Sequence, residues 1–251
     1  MNLLEYCIIP DWPAPRNVHA LQTTRNGGMS STPYDSLNLG DHVGDTPLAV
    51  ARNRMLLEPL LPSEPVWLKQ VHGTVVANAH DADCWPEADA CVSSRAGAVC
   101  VVMTADCLPV LLCDEQGSMV GAVHAGWRGL CDGVIEQAVR TMNVQPATLM
   151  AWLGPAIGSR KFEVGEEVRA AFIARQPQAV AAFSPSPGVL TQGEDEKYLA
   201  DIYRLARLRL NALGITRIYG GGLCTYTDEE RFFSYRRDGV TGRTGTFIWL
   251  A

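Results

Sequence analysis

The sequence predicts an α+β fold, a single domain of mixed β-sheets with flanking helices spanning residues 1–251. Three observations carry that expectation. Short apolar runs with strand character recur along the chain, among them Val99–Met103, Leu108–Cys113 and Met119–Val123. Helical segments fall between them at irregular intervals, without the strand–helix alternation that a doubly wound parallel sheet requires. Neither a dinucleotide-binding glycine fingerprint after a strand nor a P-loop occurs, so nothing supports those nucleotide folds.

Each element has its local reason. Val18–Thr24 reads as a strand leading into Arg25-Asn26-Gly27-Gly28, a turn that needs positive φ. A polar loop follows, SSTPYDSLNLGDHVGD, too long for a plain connector and pinned by Tyr34, Leu37 and Leu39, so it is expected to be functional. Asp45 or Thr46 caps a helix running to about Leu61. Val66–Val71 and Thr74–Ala79 read as two strands around His72-Gly73, and Ala88–Ser93 as another. A hairpin turning at Glu115-Gln116-Gly117 follows. Then come a helix over Gly129–Met142, a strand over Leu149–Leu153 closed by Gly154-Pro155, and a helix over Gly165–Gln176. Pro185–Glu196 is a Pro/Gly/acidic loop and the most mobile-looking segment. An amphipathic helix over Leu199–Leu213 ends at Gly214, and Ile215–Tyr219 is a strand. Arg231–Gly245 is a basic loop before the final strand, Thr246–Leu250.

Composition excludes several function classes. The chain is 47% apolar, enough for a substantial core, and its net charge of −6 with no basic tract argues against nucleic-acid binding. No stretch approaches the roughly 18 apolar residues of a membrane span, and the N-terminus lacks a signal-peptide pattern, so a cytoplasmic protein is expected. The eight cysteines include no CxxC pair, and several sit inside apolar runs (Cys91, Cys100, Cys113), where a free thiol behaves as a small hydrophobe. Reduced thiols are expected.

The chemistry concentrates in Met103–Leu130, MTADCLPVLLCDEQGSMVGAVHAGWRGL. With a turn near residue 116, residue 107 pairs with 124 or 125, which brings the Cys107 thiol and the His124 imidazole to one end of the hairpin. His72 ends VWLKQVHG in a similar place, with His42 as its competitor; His19 and His80 read as surface or strand-face residues. Two chemistries stay open. Cys107 and His124 form a nucleophile–base pair. Alternatively, His72, Cys107 and His124 form a three-ligand metal site with an open fourth position, zinc if that position takes water and copper if an axial Met is near. Five histidines without a His-x-His pair argue against the trinuclear cluster of a conventional laccase. Arg236, Arg237 and Arg243 make a candidate anion site, Arg25 with Gly27 and Gly28 a second, and Trp127-Arg128 a base-stacking or substrate-orienting pair.

Taken together, KQVHGT (69–74), TADCLPVLLCD (104–114), AVHAGWRGL (122–130), GPAIG (154–158), FEVG (162–165), FFSYRRDGVTGRTGTFI (232–248) and SLNLGDHVGD (36–45) with NR (53–54) resemble the YfiH-like, or laccase-domain, family across nearly the whole chain. That resemblance implies a fold related to CNF-type cysteine deamidase toxins. It implies phosphorolysis of adenosine, inosine and methylthioadenosine, with adenosine deamination, and a polyphenol oxidase activity attached to the family name. It maps metal ligands onto His72, Cys107 and His124, in agreement with the spacing. The Cys pair that follows GPAIG in some members is Ser159-Arg160-Lys161 here, so no role for it carries over.

Zn2+ is the expected cofactor, with Cu2+ displacing it in vitro. Purine nucleosides and phosphate are the expected partners, and the chain is expected to be a monomer or weak homodimer. Zinc lowers the pKa of a bound water, and water attacking C6 of adenine would give inosine and ammonia. Zinc deaminases also use a carboxylate that is not a ligand as proton shuttle, and Asp106 is the first candidate, against a bland role capping a turn. By side-chain type and loop position, Asn38, Gln70 and Arg128 are candidates for the nucleoside, and Arg236 or Arg237 for phosphate.

Overall fold

The computed structural model describes residues 3–80, 85–187 and 196–251. Cys84 and most of the expected Pro185–Glu196 loop lie outside them. The N-terminal half contains β1 (Cys7–Ile8), β2 (Val18–Thr23), α1 (Pro47–Met55), β3 (Val76–Asn78), β4 (Ala90–Ser93), β5 (Cys100–Thr104), β6 (Leu108–Asp114) and β7 (Val120–Ala125). Then follow α2 (Trp127–Asp132), α3 (Val134–Met142), β8 (Leu149–Leu153), β9 (Glu163–Gly165), α4 (Glu166–Arg175), β10 (Phe183–Pro185), β11 (Lys197–Ala200), α5 (Ile202–Ala212), β12 (Arg217–Gly220), α6 (Tyr235–Asp238) and β13 (Thr244–Leu250).

The architecture is mixed α+β. A six-stranded sheet in the order β12-β8-β6-β7-β4-β3 packs on a four-stranded sheet, β1-β2-β13-β5, and a small sheet, β10-β11-β9, lies apart. Strand β6 is buried along its whole length, and its alternation assigns each side chain to a layer. Val110 and Leu112 face the helices, where they join Leu130, Ile135, Val139 and Leu205. Leu111 and Cys113 face the second sheet, with Val102, Trp152 and Ile248. A third cluster on the far side of that sheet packs Leu37 and Leu39 of the long polar loop against Leu21, Val101 and Phe247. Burial on both faces explains the near-continuous apolar reading of β6 and β7. Cys91, Cys100 and Cys113 are buried free thiols, as composition suggested.

Several expected elements differ for identifiable reasons. The strands expected over Val66–Val71 and Thr74–Ala79 reduce to isolated bridges at Val66 and Lys69 and to the three residues of β3. The amides of Val71, His72 and Gly73 instead donate to the carboxylate of Asp89, which takes them out of any ladder. The helix expected over Gly129–Met142 is broken at Gly133, whose φ is +100°. The helix expected to reach Leu61 stops at Met55 and continues only as a 3-10 turn at Glu58–Leu60. Leu199 and Ala200 belong to β11, and α5 starts after Asp201, whose side chain caps Arg204 N. The basic loop contains α6, capped by Ser234. The hairpin register is one to two residues off the expected one: Pro109 faces His124 and Leu108 faces Ala125.

Candidate metal centre

Two turns and the end of a strand bring the candidate ligands together. His124 sits near the end of β7, Cys107 in the turn between β5 and β6, and His72 in the segment before β3. His72 and Asp106 both have positive φ, +62° and +92°, which bends the chain sharply at each. One ligand atom from each of His72, Cys107 and His124 lies within 4.8 Å of the other two. Cys107 Sγ is 3.8 Å from His72 Nε2, and the two imidazoles meet edge-on with centroids 4.8 Å apart. Gly126 keeps the space open: a Cβ there would stand 2.8 Å from His72 Cδ2 and 3.1 Å from Cys107 Sγ.

Asp89, a residue that the motif reading missed, organises this centre. It is fully buried, and its Oδ1 lies 2.8 Å from His124 Nδ1. The same carboxylate accepts the amides of His72 and Gly73 at 2.9 and 2.6 Å, and its carbonyl accepts the His124 amide at 2.7 Å. One acid therefore aims two of the three ligands and leaves His124 Nε2 for the centre. Burial pushes the Asp89 carboxyl up, but the hydrogen bond and charge of His124 and the amides of Gly73 and Val71 together hold it below its ordinary value. Its signal in the sequence was an acid inside the apolar run Ala88-Asp89-Ala90-Cys91-Val92.

The donor set fits a metal. Burial alone would raise the Cys107 thiol, yet His124 and His72 beside it pull it down to about 6. Burial opposes charge on His124, and Cys107 and Asp89 overcome that and raise it to about 9. A thiolate and two imidazoles converging on one point are the donors of an open zinc site.

The remaining candidates divide. Asp106 does not face the thiol that follows it. Its Oδ1 accepts from Thr225 Oγ1 at 2.6 Å, and its Oδ2 accepts from Ser234 Oγ at 3.1 Å and Arg236 N at 2.7 Å. The Asn38 side chain is buried and bonds Gly40, Asp45 and the Arg243 amide. Gln70 pairs its amide with both backbone groups of Met103, at 2.7 and 2.8 Å. Arg237 is occupied by the carbonyls of Thr225, Tyr226 and Phe232 and by Asp238. Arg128 is exposed and lies over the Trp127 ring. Arg236 Nη1 donates to Glu163 O, and the residue lines a cleft of about 170 Å³ with Cys107, Trp127, Phe162, Ile202 and Tyr235. Arg243 is half-buried and feels the charges of Cys107 and Asp106. Arg25 is held by Asp35 and Glu229, and His42 lies beside Asp41 in the long loop.

Relatives named purine nucleoside phosphorylase YfiH from Shigella flexneri and Escherichia coli are each 54% identical over 246 residues, covering 97% of this chain and 98% of theirs. A purine nucleoside phosphorylase of Pseudomonas aeruginosa is 52% identical over 245 residues, with the same coverage. A crystal structure of a Neisseria meningitidis protein superposes with a TM-score of 0.91 at 50% identity, covering 98% of this chain and 99% of that one. The YfiH protein of Bacillus licheniformis superposes with a TM-score of 0.83 at 33% identity, covering 93% of each. Residues 19–251 match one family along their whole length, and the chain belongs to that family, described as multi-copper polyphenol oxidoreductase laccase.

Proposed function

We propose that the protein is a zinc-dependent purine nucleoside phosphorylase, acting on adenosine, inosine and methylthioadenosine and releasing free base and ribose 1-phosphate. The observation that carries this reading is the His72–Cys107–His124 ligand set opening beside a cleft with three aromatic side chains, Trp127, Phe162 and Tyr235, and one arginine, Arg236. The names of the close relatives support it.

His72, Cys107 and His124 would hold zinc, which supplies Lewis acidity when bound. The other roles belong to the chain itself. Asp89 keeps the His124 Nδ1 proton and so fixes which nitrogen faces the centre. Trp127, Phe162 and Tyr235 offer apolar and aromatic faces to a planar base and keep bulk water from it. Phosphate is assigned to Arg236, with Arg243 adding positive charge, because the Arg237 guanidinium is already engaged. An oxocarbenium-like transition state is favoured by such placement of charge. Asn38, Gln70 and Asp106 are positioning residues: each uses its polar atoms to hold a loop at the site. Arg128 is assigned to the nucleoside beside Trp127. Deamination would need a carboxylate free to carry a proton, and both oxygens of Asp106 are engaged, so phosphorolysis is the principal reaction.

A second reading rests on the metal-free pair. With Cys107 near 6 and His124 near 9, a thiolate faces an imidazolium, as in a cysteine hydrolase or in the deamidase toxins expected from the family resemblance. Copper oxidation has weaker support, since two of the chain's five histidines make up the imidazoles of this centre.

One assay tests the proposal. Adenosine is incubated with zinc-loaded protein with and without phosphate, and products are resolved by chromatography. Adenine and ribose 1-phosphate appear only with phosphate. Inosine as the main product without phosphate would overturn phosphorolysis in favour of deamination.

A further inference from the structure

A second concavity, of about 740 Å³, lies behind the segment that follows β8 and shares no residue with the cleft at Cys107. It is lined by Arg160, Lys161, Arg204 and Arg207 against one carboxylate, Asp201. That grouping is unexpected in a chain of net charge −6. Arg160 and Arg204 are exposed at its rim and form no ion pair among the described residues. Arg207 is fixed, its guanidinium donating to Ile218 O at 3.3 Å and Gly220 O at 2.8 Å.

The lining also includes bare backbone at Gly221-Gly222, against which Arg207 lies. Gly221 has φ +86°, and a Cβ there would stand 3.0 Å from Arg207 Nη2, so only glycine allows this approach. A ligand meets the exposed guanidinium forks of Arg160 and Arg204 and a side-chain-free stretch held in place by Arg207. Paired arginine forks match phosphate oxygens, and a predominantly positive lining concentrates anions.

The pocket also touches the scaffold of the metal centre. Cys224 Sγ is part of its lining and accepts the Gly158 amide at 3.2 Å. The next residue, Thr225, holds Asp106, and Ile157 N bonds the Asp106 carbonyl at 2.9 Å. Burial raises the Cys224 thiol, but Thr227, Gly158 and Tyr226 together draw it below its ordinary value.

We propose that this cavity is a second ligand site, separate from the metal centre, that binds a small molecule carrying a diphosphate group through Arg160, Arg204 and Lys161, with Arg207 holding the Gly220-Gly221 backbone beside them. Occupancy would bear on the centre through the Cys224–Thr225–Asp106 connection.

Calorimetric titration of zinc-loaded protein with pyrophosphate and with a nucleoside diphosphate tests the site. The charge-reversed variant Arg160→Glu/Arg204→Glu and, as control, Arg236→Ala are titrated alongside. Thermal unfolding confirms that each variant is folded. The expected result is a binding isotherm that weakens by about tenfold or more in the charge-reversed variant, as lost charge complementarity requires, and is retained in Arg236→Ala. Bound diphosphate also slows maleimide labelling of Cys224 about tenfold when in roughly tenfold excess over Kd. Pyrophosphate alone binding as well as the nucleotide assigns the site to the diphosphate group; tighter nucleotide binding extends it to the base or sugar. Absence of binding, or binding lost in Arg236→Ala and unchanged by charge reversal, overturns the proposal.

Discussion

Two buried carboxylates near the centre, Asp89 and Asp106, do different work. Each lies beside a ligand in space or in sequence, and each accepts several hydrogen bonds. Asp89 accepts from a ligand side chain and from the amides around a second ligand, so its bonds set the direction of donor atoms. Asp106 accepts from Thr225, Ser234 and Arg236 N, and its bonds set the position of the arginine-bearing loop. Proximity along the chain misleads here. The acid adjacent to Cys107 serves the loop, while the acid 18 residues before it serves the ligands. The metal half and the proposed phosphate half of the site should therefore respond separately to substitution.

The largest expected effect is on the metal half. Cys107→Ala removes a donor and, with it, zinc retention, and kcat/KM falls by more than about 10³-fold, the equivalent of several kcal/mol of Lewis-acid stabilisation. Elemental analysis and turnover on one sample check this. Asp89→Asn leaves every ligand in place but loosens their aim, so zinc affinity falls by about 10–100-fold, measured by competition with a chelator. Equal zinc affinity in this variant would remove Asp89 from the account.

The phosphate half gives smaller effects. Arg236→Ala raises KM for phosphate by about tenfold, as loss of one charge-assisted hydrogen bond implies, with zinc content unchanged. Its neighbour behaves differently. Arg237→Ala destabilises by about 2 kcal/mol through its lost hydrogen bonds, lowering Tm by roughly 4–8 °C while leaving KM for phosphate near its starting value. Reversed outcomes for the two arginines would exchange their roles.

The smallest effect separates the metal reading from the thiol reading. In metal-free protein a thiol with a depressed folded pKa gains reactivity as pH rises through about 6, so Cys107 alkylation should follow that titration. Cys113, pushed up to about 12 chiefly by burial, stays unreactive in the same range. Zinc should suppress the Cys107 reaction at every pH tested. Continued alkylation in zinc-loaded protein would favour a free nucleophile.

The comparison also marks what the sequence could disclose. The Cys107–His124 neighbourhood was legible because a hairpin converts sequence distance into spatial distance, and the error was one to two residues of register. The layers were legible from alternation, since β6 sends Val110 and Leu111 to opposite cores. His72 was harder, because its approach depends on a reversal at φ +62° and on Asp89 gathering the amides of residues 71–73. Asn38 and Gln70 looked like substrate contacts because their type suits hydrogen bonding. Whether such an amide faces a ligand or a backbone is decided by loop geometry remote in sequence, here Arg243 and Met103. The same holds for Arg236 and Arg237, adjacent residues whose side chains part on a single turn of helix.

The most direct test of the central claim strips the metal from purified protein, then restores zinc or copper, and follows phosphate-dependent release of adenine from adenosine. The account predicts that release is lost on stripping, returns with about one zinc per chain as a single three-ligand centre requires, and fails to return in Cys107→Ala. Full phosphorolysis by metal-free protein, or activity recovered in Cys107→Ala, would contradict it.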